Sequence, residues 1–392
     1  STSNERCPRC AESNASIWTG SALDTWLACD VCNAWFHATC VGLRTQECDQ
    51  IERFHCPDCE GMHGPSTYKK EIRKSQRERE RINYRDLVNA DVMMPRDRVA
   101  ALQAFSFAPD TFARVPGDRA TTEWAKANGL REPVVFTGPS VLGMRMPPAS
   151  ITVSDIADLV GKRRDTPVNV MDVTSQAGLA GWTMANWDAY FSASGARART
   201  LNVISLEISE TALAAQVKRP ELVCGLDWTT LAWPEERRAR GDYPKVQLYC
   251  LMSVKDSYTD FHIDFGGSSV FYHVLSGAKT FFFVPPTPTN LKKYERWCKS
   301  PEQASTFFAE EVRPCYRVDL GAGDTMVIPT GWIHAVHTPA DAIVIGGNFI
   351  HGLNIARQLD IYALERRTAV PQKFRFPYFE QVCWYAGARY AR

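Results

Sequence analysis

Along most of the chain, apolar and polar positions exchange places over short runs. In SYTDFHIDFGG, residues 257–267, Phe261, Ile263 and Phe265 fall on one side of an extended strand. Tyr258, Asp260, His262 and Asp264 fall on the other. TLNVISLEI, KVQLYCLMSV, SVFYHVLSG, KTFFFVPP, DTMVIPTG and DAIVIGGNF are also strand-like, whereas SDIADLVGKRR has helical spacing. Many short strands with Gly and Pro between them predict an antiparallel sandwich or barrel with added helices, a mainly β, α+β chain. No internal repeat interrupts this pattern.

Composition divides the chain into three. Residues 1–63 are rich in Cys and poor in long periodic stretches. Residues 64–90 carry a dense charge run, and a large mixed domain follows over residues 91–392. The balance of 45% hydrophobic and 23% charged residues is that of a globular protein. A net charge of +1 sets up no global field toward nucleic acid, so any basic patch must be local. No apolar run of about eighteen residues predicts a membrane span. The opening STSNERC has no charged stretch leading into an apolar one, so no secretory leader is expected within it. It begins without Met, as a trimmed segment would.

Eight of the thirteen cysteines precede residue 60. Their spacing is Cys7-x2-Cys10-x18-Cys29-x2-Cys32-x4-His37-x2-Cys40-x15-Cys56-x2-Cys59. Paired cysteines without a secretory signal favour zinc over disulfides, and eight N/S ligands make two closed tetrahedral sites. A module this small needs the metals in order to fold. Cys48 stands outside the pattern, and the five later cysteines read as buried thiols.

KKEIRKSQRERER sets Lys69, Lys70, Arg73, Lys74, Arg77, Arg79 and Arg81 against Glu71, Glu78 and Glu80. Two readings stay open: a solvated helix, or a lever that touches DNA phosphates.

His262 and Asp264 share one face of their strand and can grip a metal from one side. A second histidine from a distant strand would complete a facial 2-His-1-carboxylate set with three positions left open. His334 and His337, in IPTGWIHAVHTP, compete for that role on chemistry alone.

The C4-H-C3 ligand order resembles a PHD finger. The resemblance implies one zinc on Cys7, Cys10, His37 and Cys40, and the other on Cys29, Cys32, Cys56 and Cys59. Trp35 and Phe54 would fit the family's small core. Many such fingers bind the histone H3 tail, some through trimethylated lysine 4 held by cation–π attraction to ring faces. Trp18, Trp26 and Trp35 are candidate cage walls, or braces of the fold.

From about Asn202 to Tyr385 the chain is similar to the JmjC (Jumonji C) histone lysine demethylases. The resemblance rests on SYTDFHIDFGGSSVFYHVLSGAK, VIPTGWIHAV, GGNFIHGLNI and FPYFEQVCWY. It implies a double-stranded β-helix, jelly-roll and cupin-like, with a core at about 200–365. It makes His262, Asp264 and His334, not His337, the Fe(II) ligands. Thr259, Lys279, Asn202 and Tyr272 become contacts of the cosubstrate 2-oxoglutarate, and Asn348 a position near the metal. Two oxygens of 2-oxoglutarate and one O2 would fill the open positions. The cosubstrate's far carboxylate then needs a buried cation, and Lys279 lies in otherwise apolar AKTFFFVPP. Strict alternation puts Thr259 on the face opposite His262, so a bulge or strand start must intervene if both serve one site.

The implied reaction hydroxylates an N-methyl group, which leaves as formaldehyde, on a histone H3 tail or nucleosome in the nucleus. A protein hydroxylase and an inactive reader scaffold are the alternatives, since a fold does not choose its substrate. ERRTAVPQKFRFPYFEQVCWY and VIPTGWIHAV resemble the branch acting on mono- and dimethylated H3 lysine 36. The order finger, linker, JmjC resembles the branch acting on dimethylated lysines 9 and 27. Lysine 36 is the favoured expectation.

Overall fold

The computed structural model describes residues 7–9, 25–48, 51–68, 97–138, 142–161 and 164–391. Cys10, Trp18 and the charge run over 69–96 lie outside them. The chain divides into two compact units, Ser1–Tyr84 and Arg85–Arg392.

In the first unit, β1 (Trp26–Ala28) pairs with β2 (Trp35–His37), and β3 (Ile51–Arg53) pairs with β4 (Thr67–Tyr68). Helix α1 (Pro57–His63) has Pro57 at its first position, where the missing N–H has no partner to lose. The core is small: Phe36 and Phe54 meet edge to face at 6.2 Å among the cysteines. Trp35 does not join it. Alternation in β2 turns Phe36 inward and leaves Trp35 55% exposed. The expected boundary at residue 63 falls inside this unit, because Thr67 and Tyr68 pair back onto Ile51 and Arg53.

In the second unit, helix α2 (Arg98–Ala104) opens on an Asp97 cap. Helix α3 (Val153–Val160) takes the place of SDIADLVGKRR. It is capped by a reciprocal Thr152–Asp155 box, buries Val153, Ile156, Ala157 and Val160, and stops at Gly161.

The sheet strands that carry the site are β5 (Leu201–Glu207), β6 (Tyr249–Ser253), β7 (Tyr258–His262), β8 (Ser269–Val284), β9 (Tyr316–Gly321), β10 (Thr325–Ile328) and β11 (Ile333–Phe349). SVFYHVLSG and KTFFFVPP are therefore one strand rather than two. HAVHTP and DAIVIGGNF likewise join in β11.

β8 and β11 run antiparallel along most of their length, and each serves two layers. The first half of β8 pairs with β10 and its second half with β9. β11 pairs with β7 near its start and β6 near its end. The crossing from one layer to the other occurs where the β8–β11 register slips, around Ser276–Thr280. Gly277 makes this possible: its φ is +77°, and a Cβ there would lie 2.0 Å from the Asp341 carbonyl oxygen. The interior between the layers holds Val274, Phe281, Phe283, Val318, Met326, Ile328 and Trp332. This is a cupin-like β-sandwich with helices around it.

Helices α4 (Pro288–Lys299), α5 (Ile355–Arg367) and α6 (Phe379–Tyr390) flank the sheets. Among the described residues no helix is long and apolar enough to cross a membrane.

Candidate metal centre and substrate cleft

β7 pairs with β11 so that His262 faces His334, their ring centroids 4.3 Å apart. Thr259 pairs with Val336, so three steps along β7 match two along β11. This is the bulge that alternation required. The extra residue lies in the Asp260–Phe261 stretch, and it lets Thr259 and His262 serve one cleft. Asp264 follows in extended conformation just past the end of β7. One ligand atom from each of His262, Asp264 and His334 lies within 4.8 Å of the others.

The imidazoles are oriented by the backbone. His262 Nδ1 sits 2.8 Å from the Asp260 carbonyl oxygen, and His334 Nδ1 sits 3.0 Å from that of Trp332. Each Nδ1 thus donates to an oxygen, leaving Nε2 as a lone-pair donor. Burial, with His262 nearby, pushes the His334 imidazolium well below its usual range. Burial pushes the Asp264 carboxyl up. Two imidazoles that turn Nε2 away from the backbone and one acid side chain, gathered in one cleft, fit a divalent transition metal. Asn348 donates to Ser268 Oγ at 2.9 Å and reaches Asp264 Oδ1 at 3.5 Å.

His337 does not join them. It packs against Thr280 and Tyr258 in the ladder, with its Nε2 3.6 Å from Asp256. Asp260, the second carboxylate on the sequence face, also turns away. It accepts from the Tyr258 hydroxyl at 2.9 Å and pairs with Arg98 at 3.1 Å.

Lys279 is 3% exposed. Its ammonium donates to Ser253 Oγ at 2.6 Å and Thr338 Oγ1 at 2.9 Å, and burial pushes it down to about 7. Ser253 in turn donates to Asn202 Oδ1 at 2.7 Å, and Asn202 Nδ2 reaches Thr259 Oγ1 at 3.4 Å. Among the described residues its side-chain partners are hydroxyls, and a buried ammonium so held fits a carboxylate ligand.

His262, Asp264, His334, Thr259, Lys279, Asn202, Tyr272 and Asn348 all line one cleft of about 1230 Å³. Sequence reasoning missed Ser253, Thr338 and Arg98. Ser253 and Thr338 come from separate strands, so no spacing flags them.

In the first unit, the thiols of Cys29, Cys32, Cys56 and Cys59 converge, as do Cys7, His37 and Cys40. Both groupings follow the interleaved order, and each is able to hold zinc. Trp26 and Trp35 share the hairpin face opposite Leu27 and Phe36, at 38% and 55% exposure. The Trp26 ring lies 3.8 Å from the His37 ring.

The fold and the donor set define a JmjC protein: residues 249–349 match "JmjC domain, hydroxylase" and residues 353–391 match "Jumonji helical domain". The chain belongs to the JmjC histone demethylase family, a family of Fe(II)- and 2-oxoglutarate-dependent enzymes. It is 43% identical over 394 residues to "JmjC domain-containing histone demethylation protein 1" of Yarrowia lipolytica, covering 97% of this chain and 75% of that protein. It is 40% identical over 426 residues to the protein of the same name in Aspergillus fumigatus, covering 93% and 30%. It is 41% identical over 374 residues to "Histone lysine demethylase PHF8" of Danio rerio, covering 92% and 34%. The chain thus spans about a third of two of these relatives and three quarters of the third.

Proposed function

We propose that this chain is a nuclear histone H3 lysine demethylase that removes methyl groups from mono- and dimethylated lysine 36. The observation that carries the reading is the one-sided set His262, Asp264 and His334 opening into the same cleft as the buried, carboxylate-free Lys279. Bound Fe(II) with 2-oxoglutarate and O2 supplies oxidising power that hydroxylates an N-methyl group, which then leaves as formaldehyde.

The chain's own residues bind, orient and exclude. His262 and His334 offer Nε2 while their Nδ1–H groups donate to the backbone carbonyls of Asp260 and Trp332. Asp264 supplies the charge, with Asn348 turned toward its oxygen. Lys279, Thr259, Asn202 and Tyr272 take the cosubstrate. Lys279 is held in place by Ser253 and Thr338, so its remaining proton points to the far carboxylate. Phe281 and Phe283, packed 6.0 and 5.6 Å from the His334 ring, keep water from that side.

The first unit reads the H3 tail with two zinc ions, on Cys7, Cys10, His37 and Cys40 and on Cys29, Cys32, Cys56 and Cys59. The exposed Trp26 and Trp35 offer ring faces for trimethylated lysine 4, and Trp18 is the third candidate from the sequence. The charge run over 69–81 supplies contact with nucleosomal DNA phosphates.

Methylated H3 peptides and nucleosomes, supplied with Fe(II) and 2-oxoglutarate, test the reading by formaldehyde release and mass shift. Loss of 14 or 28 mass units at lysine 36 is expected. Turnover at lysines 9 and 27 instead assigns the other branch. A gain of 16 units without formaldehyde makes it a hydroxylase, and tail binding without any turnover makes it a reader.

A further inference from the structure

We propose that Glu365, on helix α5, is a positioning residue for the metal ligand Asp264, acting through the turn that follows it. This rests on the reading of His262, Asp264 and His334 as a metal site. Immediately after Asp264 the chain turns through Phe265, Gly266 and Gly267, with φ of +61° at both glycines. The Gly267 N–H donates back to the Asp264 carbonyl oxygen at 2.9 Å, closing the turn. The Gly266 N–H donates to Glu365 Oε1 at 2.7 Å. The two residues are ninety-nine positions apart.

The helices also press on the turn sterically. A Cβ at Gly266 would meet Phe379 at 2.9 Å and Phe376 at 3.0 Å, and one at Gly267 would meet Ile361 at 3.0 Å. The turn is therefore seated in a socket made by α5, α6 and the segment between them. Within that socket the hydrogen bond from Gly266 to Glu365 fixes the direction of the peptide plane. Asp264 is then held from two sides, by this turn and by Asn348 on β11.

Glu365 is an awkward residue for mere packing. It is 6% exposed, its second oxygen has no hydrogen-bond partner among the described residues, and burial pushes its carboxyl up to about 7. A leucine would fill the same space without burying a half-satisfied acid. The carboxyl lines the same cleft as the metal ligands, where a local rule broken at a functional position is expected.

The test titrates Co(II) into the metal-free whole chain, with the visible Co(II) band as readout. It compares the wild type with Glu365→Leu and Glu365→Gln, each checked by thermal unfolding. Glutamine keeps an oxygen acceptor for Gly266 and leucine does not. Glu365→Leu should bind Co(II) about tenfold more weakly with its unfolding midpoint little changed, and Glu365→Gln should stay within about twofold of wild type. Equal affinity in the leucine variant, or equal weakening in both, overturns the proposal. Failure of the wild type to bind Co(II) would instead sink the metal-site reading. If the leucine variant does not fold, hydrogen exchange of the Gly266 amide in the wild type decides. Strong protection supports the proposal, and exchange at the rate of an open loop overturns it.

Discussion

Arg98 and Asp260 form an ion pair at 3.1 Å, with side chains 11% and 17% exposed, directly behind the candidate metal centre. Asp260 is also the residue whose carbonyl oxygen receives His262 Nδ1. Arg98 donates besides to the carbonyls of Thr306 and Ala304, at 3.1 and 2.7 Å. One guanidinium thus ties α2, the segment after α4 and the bulge of β7 together. Arg98→Met leaves the Asp260 acid buried without its partner. It should destabilise the catalytic unit by about 3 kcal/mol, measured by urea unfolding.

The two histidines of IPTGWIHAVHTP should separate cleanly. His334→Ala removes a ligand and should lower demethylation at least about a thousandfold, with loss of Co(II) binding. His337→Ala removes a ladder residue that faces Asp256 and should leave turnover within about threefold. Steady-state formaldehyde assays on both variants check this.

Lys279 carries a pH signature. Its ammonium is pushed by burial to about 7, below the usual 10.5, and a bound carboxylate requires it protonated. The KM for 2-oxoglutarate should therefore rise about tenfold per pH unit above about 7. Between about 7 and 10.5 the unfolded chain holds this proton and the folded chain does not, so the group's contribution to stability grows with pH. Lys279→Met should erase both slopes and raise the KM by about 10- to 100-fold at pH 7, as loss of a charge-assisted hydrogen bond would. KM-against-pH and melting-against-pH series measure them.

Removing zinc should unfold the first unit alone. The Phe36–Phe54 contact is too small a core to replace two metals, each worth roughly 10 kcal/mol or more in modules of this kind. A strong chelator, or Cys56→Ala, should abolish hydrogen-exchange protection over 25–68 while 201–391 stays unchanged. Exchange followed by mass spectrometry reads both segments at once.

Much of the candidate site is visible in the sequence because its chemistry is local. His262 and Asp264 sit two residues apart, and the conflict between Thr259 and His262 under strict alternation calls for a bulge or a strand start, of which the register slip is the first. What stayed hidden depends on separation. Lys279 meets Ser253 and Thr338 across 26 and 59 positions, and Gly266 meets Glu365 across ninety-nine. Periodicity carries no information about such meetings. Trp35 carried two readings, core residue and cage wall, because a three-residue strand is too short to show which neighbour turns inward; Phe36 does, and Trp35 is exposed.

His334, Thr338 and Asn348 stand on β11 and Tyr272 and Lys279 on β8, so half of the site's polar side chains ride on a single bent ribbon, while Asn202, Ser253, Thr259, His262 and Asp264 come from β5, β6, β7 and the turn after it. Residues 368–375, 377 and 378 line the same cleft from the segment between α5 and α6, off this ribbon. Substitutions there can therefore reshape that wall while the hearth behind it keeps its pairing.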